Sequence, residues 1–285
     1  MIQSMTGYGK SLVQLPSKKI TVEIKSLNSK NLDLNTRVPS SYREKELEIR
    51  NRLSKSLVRG KVDFNLYVEV TGEETSTEIN EVVVKQYMKQ LAMVADGDPV
   101  ELLKMAIRMP DSLKTERTEI DETEFNLILQ AVDSALEALN TYRSDEGAVL
   151  KQDFLERVTA ISELLKKVVD IDPQRVENVK ERLHKAIAEL KETVDENRFE
   201  QELIYYLEKY DITEEKVRLR NHIDYFIENL NSDTSNGKKL GFITQEIGRE
   251  INTIGSKANF APMQQLVVQM KDELEKIKEQ SLNVL

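Results

Sequence analysis

A chain of 285 residues with no cysteine or tryptophan, 32% charged and only 6% aromatic, excludes disulfide frameworks, thiolate zinc sites and thiol nucleophiles, and favours long salt-bridged helices over a β-sandwich. No run approaches the roughly 18 apolar residues of a membrane span and the opening residues lack the apolar centre of a signal peptide, so a cytoplasmic protein with no membrane partner is expected. The net charge of −9 is uneven: residues 1–72 carry 13 Lys and Arg against 7 Asp and Glu, and the other 213 carry 28 against 43, which joins a basic amino-terminal region to an acidic remainder.

The first segments alternate with strand period. SMTGYGKSLVQLP, KKITVEIKSLN and KNLDLNTRVP read as three strands separated by turns at Pro16-Ser17-Lys18 and Asn28-Ser29-Lys30, with Ile20, Val22 and Ile24 on one face of the second. A helix follows, capped by Ser40-Ser41 and carrying Tyr42, Leu47, Ile49, Leu53 and Leu57 as its stripe until Arg59-Gly60. Lys61 to Thr71 alternates again as a strand, and a helix is expected over about 80–94. Residues 110–123 are polar and read as a connection.

Helical spacing then takes over. Leu150, Phe154, Val158, Ile161, Leu165 and Val168 recur every three or four residues as a seam for another helix. Asp172-Pro173 offers an N-cap followed by proline at the first helical position, which predicts a second long helix toward Val194 and an antiparallel hairpin. Asp211 with Glu214 resembles a capping box, and the last helix starts near Ala261 with Val267, Met270, Leu274 and Ile277 inward. The expected class is α+β: an amino-terminal antiparallel-sheet domain of three strands, helix, strand and helix (1–123), a long helical hairpin (124–210) and a helical carboxyl-terminal domain (211–285).

The candidate chemistry lies in QEIGREINTIGSKANF, residues 245–260. At about 100° per residue, Leu240, Ile243, Ile247, Ile251 and Ile254 share one stripe, and Glu246, Arg249, Glu250, Thr253 and Lys257 share another at its border. Glu246 and Glu250, one turn apart, can share a hard divalent cation while Arg249 and Lys257 hold phosphate oxygens. The competing reading is a salt-bridge ladder, Glu246 with Arg249 and Glu250 with Lys257, and spacing alone favours it. Gly248 inside this helix signals either a close approach to its backbone or an imperfect helix. His222 stands beside the apolar stripe of RLRNHIDYF with Arg218 one turn earlier; it reads as a general base or metal ligand near a phosphate, or as a structural residue. His184 reads as structural, and the tyrosines of NRFEQELIYYLEKYDI read as core as readily as stacking platforms.

The opening MIQSMTGYGK, VEIKSLNSKNLDL with RVP, LVRGKVDF, NRFEQEL, DITEEKVRLRNHIDYF, GKKLGFITQEIGREINTIGSKAN and ELEKIKEQSLN resemble the YicC/YloC endoribonuclease family over most of the chain. The resemblance implies RNA binding, divalent-metal-dependent endonucleolytic cleavage with Mn or Mg, and a ring-like homohexamer. It places Glu246, Arg249, Glu250, Asn252, Ser256 and Lys257 on the functional carboxyl helix and His222 on the preceding one. It also makes Lys25, Asn28, Lys30, Arg37, Arg59 and Lys61 candidates for phosphate or oligomer contacts. The chain departs from the family pattern at Ser29-Lys30, where Arg or His-Arg is common, at Gly241 and Phe260, where Asp is usual, and at Gly248, where Asn is usual. Lys30 keeps the charge without bidentate geometry, and the missing acids remove groups that would support a metal. Two other functions fit the same residues: an RNA-binding scaffold that does not cleave, and an assembly protein whose basic segment meets acidic helices of neighbouring copies.

Overall fold

A computed structural model of the chain describes residues 2–71, 78–114, 121–189, 196–232 and 235–285. The expected α+β class is what it shows: a four-stranded sheet, then a long helix and a helical carboxyl-terminal region. Two compact units form, one from Tyr8–Ser26 and Asn31–Leu139, the other from Met1–Gly7, Leu27–Lys30 and Asn140–Leu285.

The first unit starts with β1 (Gly7–Gln14), β2 (Lys18–Leu27) and β3 (Leu32–Arg37), followed by a 3-10 turn (Ser40–Lys45), α1 (Glu46–Ser56) and β4 (Gly60–Val70). The alternation of β2 sends Ile20, Val22 and Ile24 fully inward, where they meet Val62, Phe64 and Leu66 of β4 and Ile49 and Leu53 of α1. Strand order is β1-β2-β4-β3, and β3 pairs β4 in parallel from Leu32↔Gly60 to Arg37↔Asn65. The sheet is therefore not antiparallel throughout, because α1 lies between these two strands as a crossover and returns the chain in the same direction. Gly60, at φ 128, is the backbone device at that return, and its N–H donates to the Asn31 carbonyl at 3.2 Å.

Two local expectations fail here. Leu47 is 68% exposed rather than part of the stripe: it precedes Ile49 by two residues, about 200° around a helix, and so faces solvent. Ser40 and Ser41 do not cap α1; they lie within the 3-10 turn, which begins after Pro39 with no side-chain cap. Further on, β5 (Glu78–Ile79), α2 (Glu81–Val94, capped by the Asn80 side chain), α3 (Pro99–Ala106) and β6 (Leu113–Lys114) follow, with β5 and β6 antiparallel. The polar stretch 110–123 holds β6 and the start of the next helix, and 115–120 lie outside the described residues.

That next helix, α4 (Glu122–Glu189), is continuous for 68 residues with Pro173 inside it, so the hairpin expected to turn at Asp172-Pro173 does not form there. The physical reason is that Asp172 is not used as a cap. Its carboxylate is buried, with Oδ1 accepting from Arg175 at 2.7 Å and Oδ2 from Lys216 at 2.6 Å. That ion cluster fastens the helix across the proline. The far end of α4 meets α5 (Glu196–Lys209), where the His184 and Phe199 rings lie 4.9 Å apart, which gives His184 its structural role. Val194, the expected helix end, lies outside the described residues.

Helices α6 (Thr213–Leu230), α7 (Gly237–Lys257) and α8 (Ala261–Ser281) complete the second unit. The predicted seam of α4 from Leu150 to Val168 is buried against Leu219, Ile223 and Phe226 of α6, the isoleucines of α7, and Met263, Met270 and Leu274 of α8. Of the expected capping box only Asp211 acts, accepting from the Thr213 N–H at 3.1 Å, whereas Glu214 pairs with Arg218. Both chain ends are tied into this unit: Met5 N–H donates to Asn283 and Leu285 N–H to Gln3. Among the described residues no helix is long and apolar enough to cross a membrane.

Candidate functional site

Helix α7 owes its position to its sequence period. Asn236 caps it through Oδ1, accepting from the Lys239 N–H at 3.0 Å. The five predicted inward residues, Leu240, Ile243, Ile247, Ile251 and Ile254, are all buried. The question raised by Gly248 is answered by α8. A Cβ there would lie 3.1 Å from Leu274 Cδ2, and one at Gly255 would lie 2.9 Å from Val267 Cγ1, so the glycines let α8 approach closely.

The charged border separates into distinct environments. Glu246 and Arg249 stand in solvent and face each other at 3.9 Å, a pair of small energetic weight. Glu250 is 4% exposed as a whole residue and makes no hydrogen bond or ion pair among the described residues, and its carboxylate oxygens are not sealed off but keep contact with the surface. Lys257 does not reach Glu250, as a ladder would require. Its ammonium donates instead to Glu215 Oε1 at 2.7 Å and to the Asp211 carbonyl at 2.8 Å, fastening the end of α7 to the start of α6. Glu215 Oε2 is buried without a partner among the described residues.

This clasp fixes α6 and α7 as antiparallel neighbours. Counting seven residues from Glu215 up α6 and seven from Lys257 down α7 brings His222, half-buried, to about the level of Glu250. Arg218 is exposed and paired with Glu214. On the other flank of α7, Gln245, Gly248, Arg249, Asn252 and Thr253 line a concavity of about 410 Å³ with Lys278 of α8. Ser256 donates to the Thr253 carbonyl. Sequence reasoning missed Gln245 and Lys278; Lys278 comes from another helix, and the hint of that helix's approach was Gly248.

Glu246 and Glu250, one turn apart on one helix, are hard oxygen donors of the kind that Mg or Mn takes with waters and a phosphate completing the shell. Among the described residues no three His, Asp or Glu side chains gather into a fuller set. The residues therefore suit a cation shared with substrate better than a closed structural metal site.

The basic amino-terminal candidates divide between the two units. Lys25, Arg37 and Lys61 are exposed on the outer face of the sheet, with the Lys25 ammonium 5.7 Å from the Tyr8 ring centre and Lys61 opposite Asp33 in register. Arg37 lines a concavity of about 390 Å³ with Arg43 and Glu46, and Arg59 is half-buried. In the other unit Lys30 is exposed, whereas Asn28 is already engaged, donating to the Leu282 carbonyl at 2.6 Å. The tyrosines of α5 and of the turn after it are not core: Tyr205 is 57% exposed, and Tyr206 and Tyr210, both half-buried, stack on each other with ring centres 6.2 Å apart.

Comparison with known proteins covers both regions. Residues 2–152 match the family described as "Endoribonuclease YicC-like, N-terminal region", and residues 168–285 match "Endoribonuclease YicC-like, C-terminal". A protein of Clostridioides difficile named "Probable endoribonuclease YicC" is 34% identical over the full length of both chains. One of the same name from Haemophilus influenzae is 29% identical, again over the full length of both. The chain belongs to the YicC-like endoribonuclease family.

Proposed function

We propose that this protein is an endoribonuclease that hydrolyses RNA phosphodiester bonds with a divalent cation, Mn or Mg, held by Glu246 and Glu250 of α7. The observation that carries this reading is Glu250, a residue largely enclosed by its neighbours whose carboxylate is committed to no hydrogen bond or ion pair among the described residues and still reaches the surface. A carboxylate held in place by the apolar packing around it and engaged by no neighbouring donor is an open hard oxygen ligand for a cation arriving at the surface it reaches. The names of the relatives supply the substrate class. When bound, such a cation stabilises charge on a phosphoryl oxygen and makes a water a better nucleophile at neutral pH.

The chain's own groups have separable tasks. Arg249, largely in solvent, is free to reach a phosphate and offset the negative charge that grows as the water oxygen bonds to phosphorus. Gln245, Asn252 and Lys278 offer donors to a neighbouring phosphate in the concavity they line. Cleavage breaks a P–O bond and the departing oxygen needs a proton; His222, near the level of Glu250, is the side chain suited to supply it. Lys257 acts by positioning, since its ammonium is committed to Glu215 and Asp211. Lys25, Lys30, Arg37, Arg59 and Lys61, with Arg218 once it leaves Glu214, guide the RNA backbone electrostatically. Asn28 helps by holding the end of α8. The working form is a homohexamer in the cytoplasm, acting on single-stranded or structured RNA.

Purified protein incubated with end-labelled RNA tests this reading. Internal cleavage that a chelator abolishes and added Mn restores is the expected result. Intact RNA in both arms, with RNA still retained by the protein, would instead mark an RNA-binding scaffold.

A further inference from the structure

Phe242 lies one turn before Glu246 on α7 and is 59% exposed. A single exposed phenylalanine calls for no explanation, but three neighbouring features single this one out. Lys239, one turn earlier on the same helix, places its ammonium 4.9 Å from the ring centre of Tyr225 on α6, itself 42% exposed. Gly241, beside Phe242 in sequence, has open space where a side chain would stand. Finally, Lys239, Phe242, Glu246 and Arg249 follow each other at helical spacings of three, four and three residues, a ridge about 15 Å long at 1.5 Å per residue. A ring with a cation on each side of it along the ridge, and a second ring on α6 under the Lys239 ammonium, match the chemistry of a nucleotide, whose base presents a π-face and whose phosphate presents a negative charge.

We infer that Phe242 and Tyr225, with Lys239 held against the Tyr225 ring, form a stacking platform for an unpaired RNA base next to the bond that is cut. This rests on the endoribonuclease reading and deepens it, because it names the form of RNA the site accepts. A base held on these rings must be out of the duplex, so the platform selects loops, bulges and single strands over continuous helices. Lys239 neutralises a phosphate of the same nucleotide, and the next phosphate in the strand falls toward Glu246 and Arg249. Phe242 and Tyr225 are positioning residues here; neither touches the reacting atoms.

The chain has no tryptophan, so Phe242→Trp introduces a sole indole reporter. The full-length protein is titrated with an unpaired 2′-O-methyl oligoribonucleotide, with the same sequence in duplex form, and with inorganic polyphosphate. Expected results are quenching of the Trp emission by the unpaired strand alone, near-native affinity for Phe242→Trp, and affinity about tenfold weaker for Phe242→Ala and Tyr225→Ala. Both rings are substantially exposed, so these variants leave the core unchanged, and circular dichroism checks this. Equal affinity for Phe242→Ala, or equal quenching by duplex or polyphosphate, overturns the inference while leaving the endoribonuclease reading intact. A change in sedimenting mass with unchanged RNA affinity also overturns it, assigning the ridge to a second copy of the chain. Failure of the unaltered protein to retain any RNA overturns both.

Discussion

At the scale of single residues, the clasp of Lys257 decides how α6 and α7 meet. Glu215 is 7% exposed at its side chain while Lys257 keeps 32%, so the pair is only partly desolvated and its loss is smaller than that of a fully buried pair. Lys257→Met leaves the Glu215 carboxylate buried without a cation and is expected to lower unfolding free energy by about 2 kcal/mol. Adding Glu215→Gln removes the stranded charge and should recover roughly half of that, as read by denaturant unfolding of the two variants. Equal loss in the single and double variants would show that the clasp carries no charge coupling. The outward faces of Glu246 and Arg249 were legible from helical period, whereas the 4% exposure of Glu250 was not, because the same residue count set it on the charged border beside them and the packing of the neighbouring helices is what encloses it. The partner of Lys257 was not: Glu215 precedes it by 42 positions, and no local spacing reports it.

Among the elements, α4 shows where local rules were overridden. Asp-Pro is a valid start signal, yet a buried Asp172 gripping Arg175 and Lys216 carries the helix through. Pro173 still lacks the N–H that a helix interior uses, so Pro173→Ala should raise stability by about 1–2 kcal/mol after allowance for the more flexible unfolded chain. Loss of stability on this change would mean that the proline bend itself is required. The α4–α8 contact titrates. The hydrogen bond from Lys276 lowers the Glu273 carboxyl below its ordinary value, burial opposes this, and Arg157 at 3.1 Å lowers it further. A depressed carboxyl stabilises the fold above its unfolded pKa and loses that contribution as pH falls through the folded one. Thermal unfolding from about pH 5 to pH 3 should therefore be less steeply pH-dependent in Glu273→Gln than in the unaltered protein; identical profiles would remove Glu273 from the acid response. The seam of α4 and the stripes of α7 and α8 were readable because helical period suffices for them. The parallel β3–β4 pairing was not, since strand direction depends on the crossover and not on alternation.

For the whole molecule, charge distribution sets how substrate arrives. A basic amino-terminal region on an acidic chain predicts that RNA retention falls steeply with salt, log affinity declining linearly with log salt concentration. Replacing Lys25, Arg37 and Lys61 together by Ala should flatten that slope by about 2 for single-stranded RNA, measured by filter retention; an unchanged slope would direct those residues to contacts between copies of the chain. The metal chemistry turns on Glu250, the carboxylate of α7 that is engaged by no partner among the described residues. The most direct measurement is the RNA cleavage rate of Glu250→Gln against Mn concentration, a substitution that keeps shape and removes charge. A fall of about 100-fold with a displaced Mn dependence is predicted, and cleavage at the unaltered rate with the same Mn curve would contradict it.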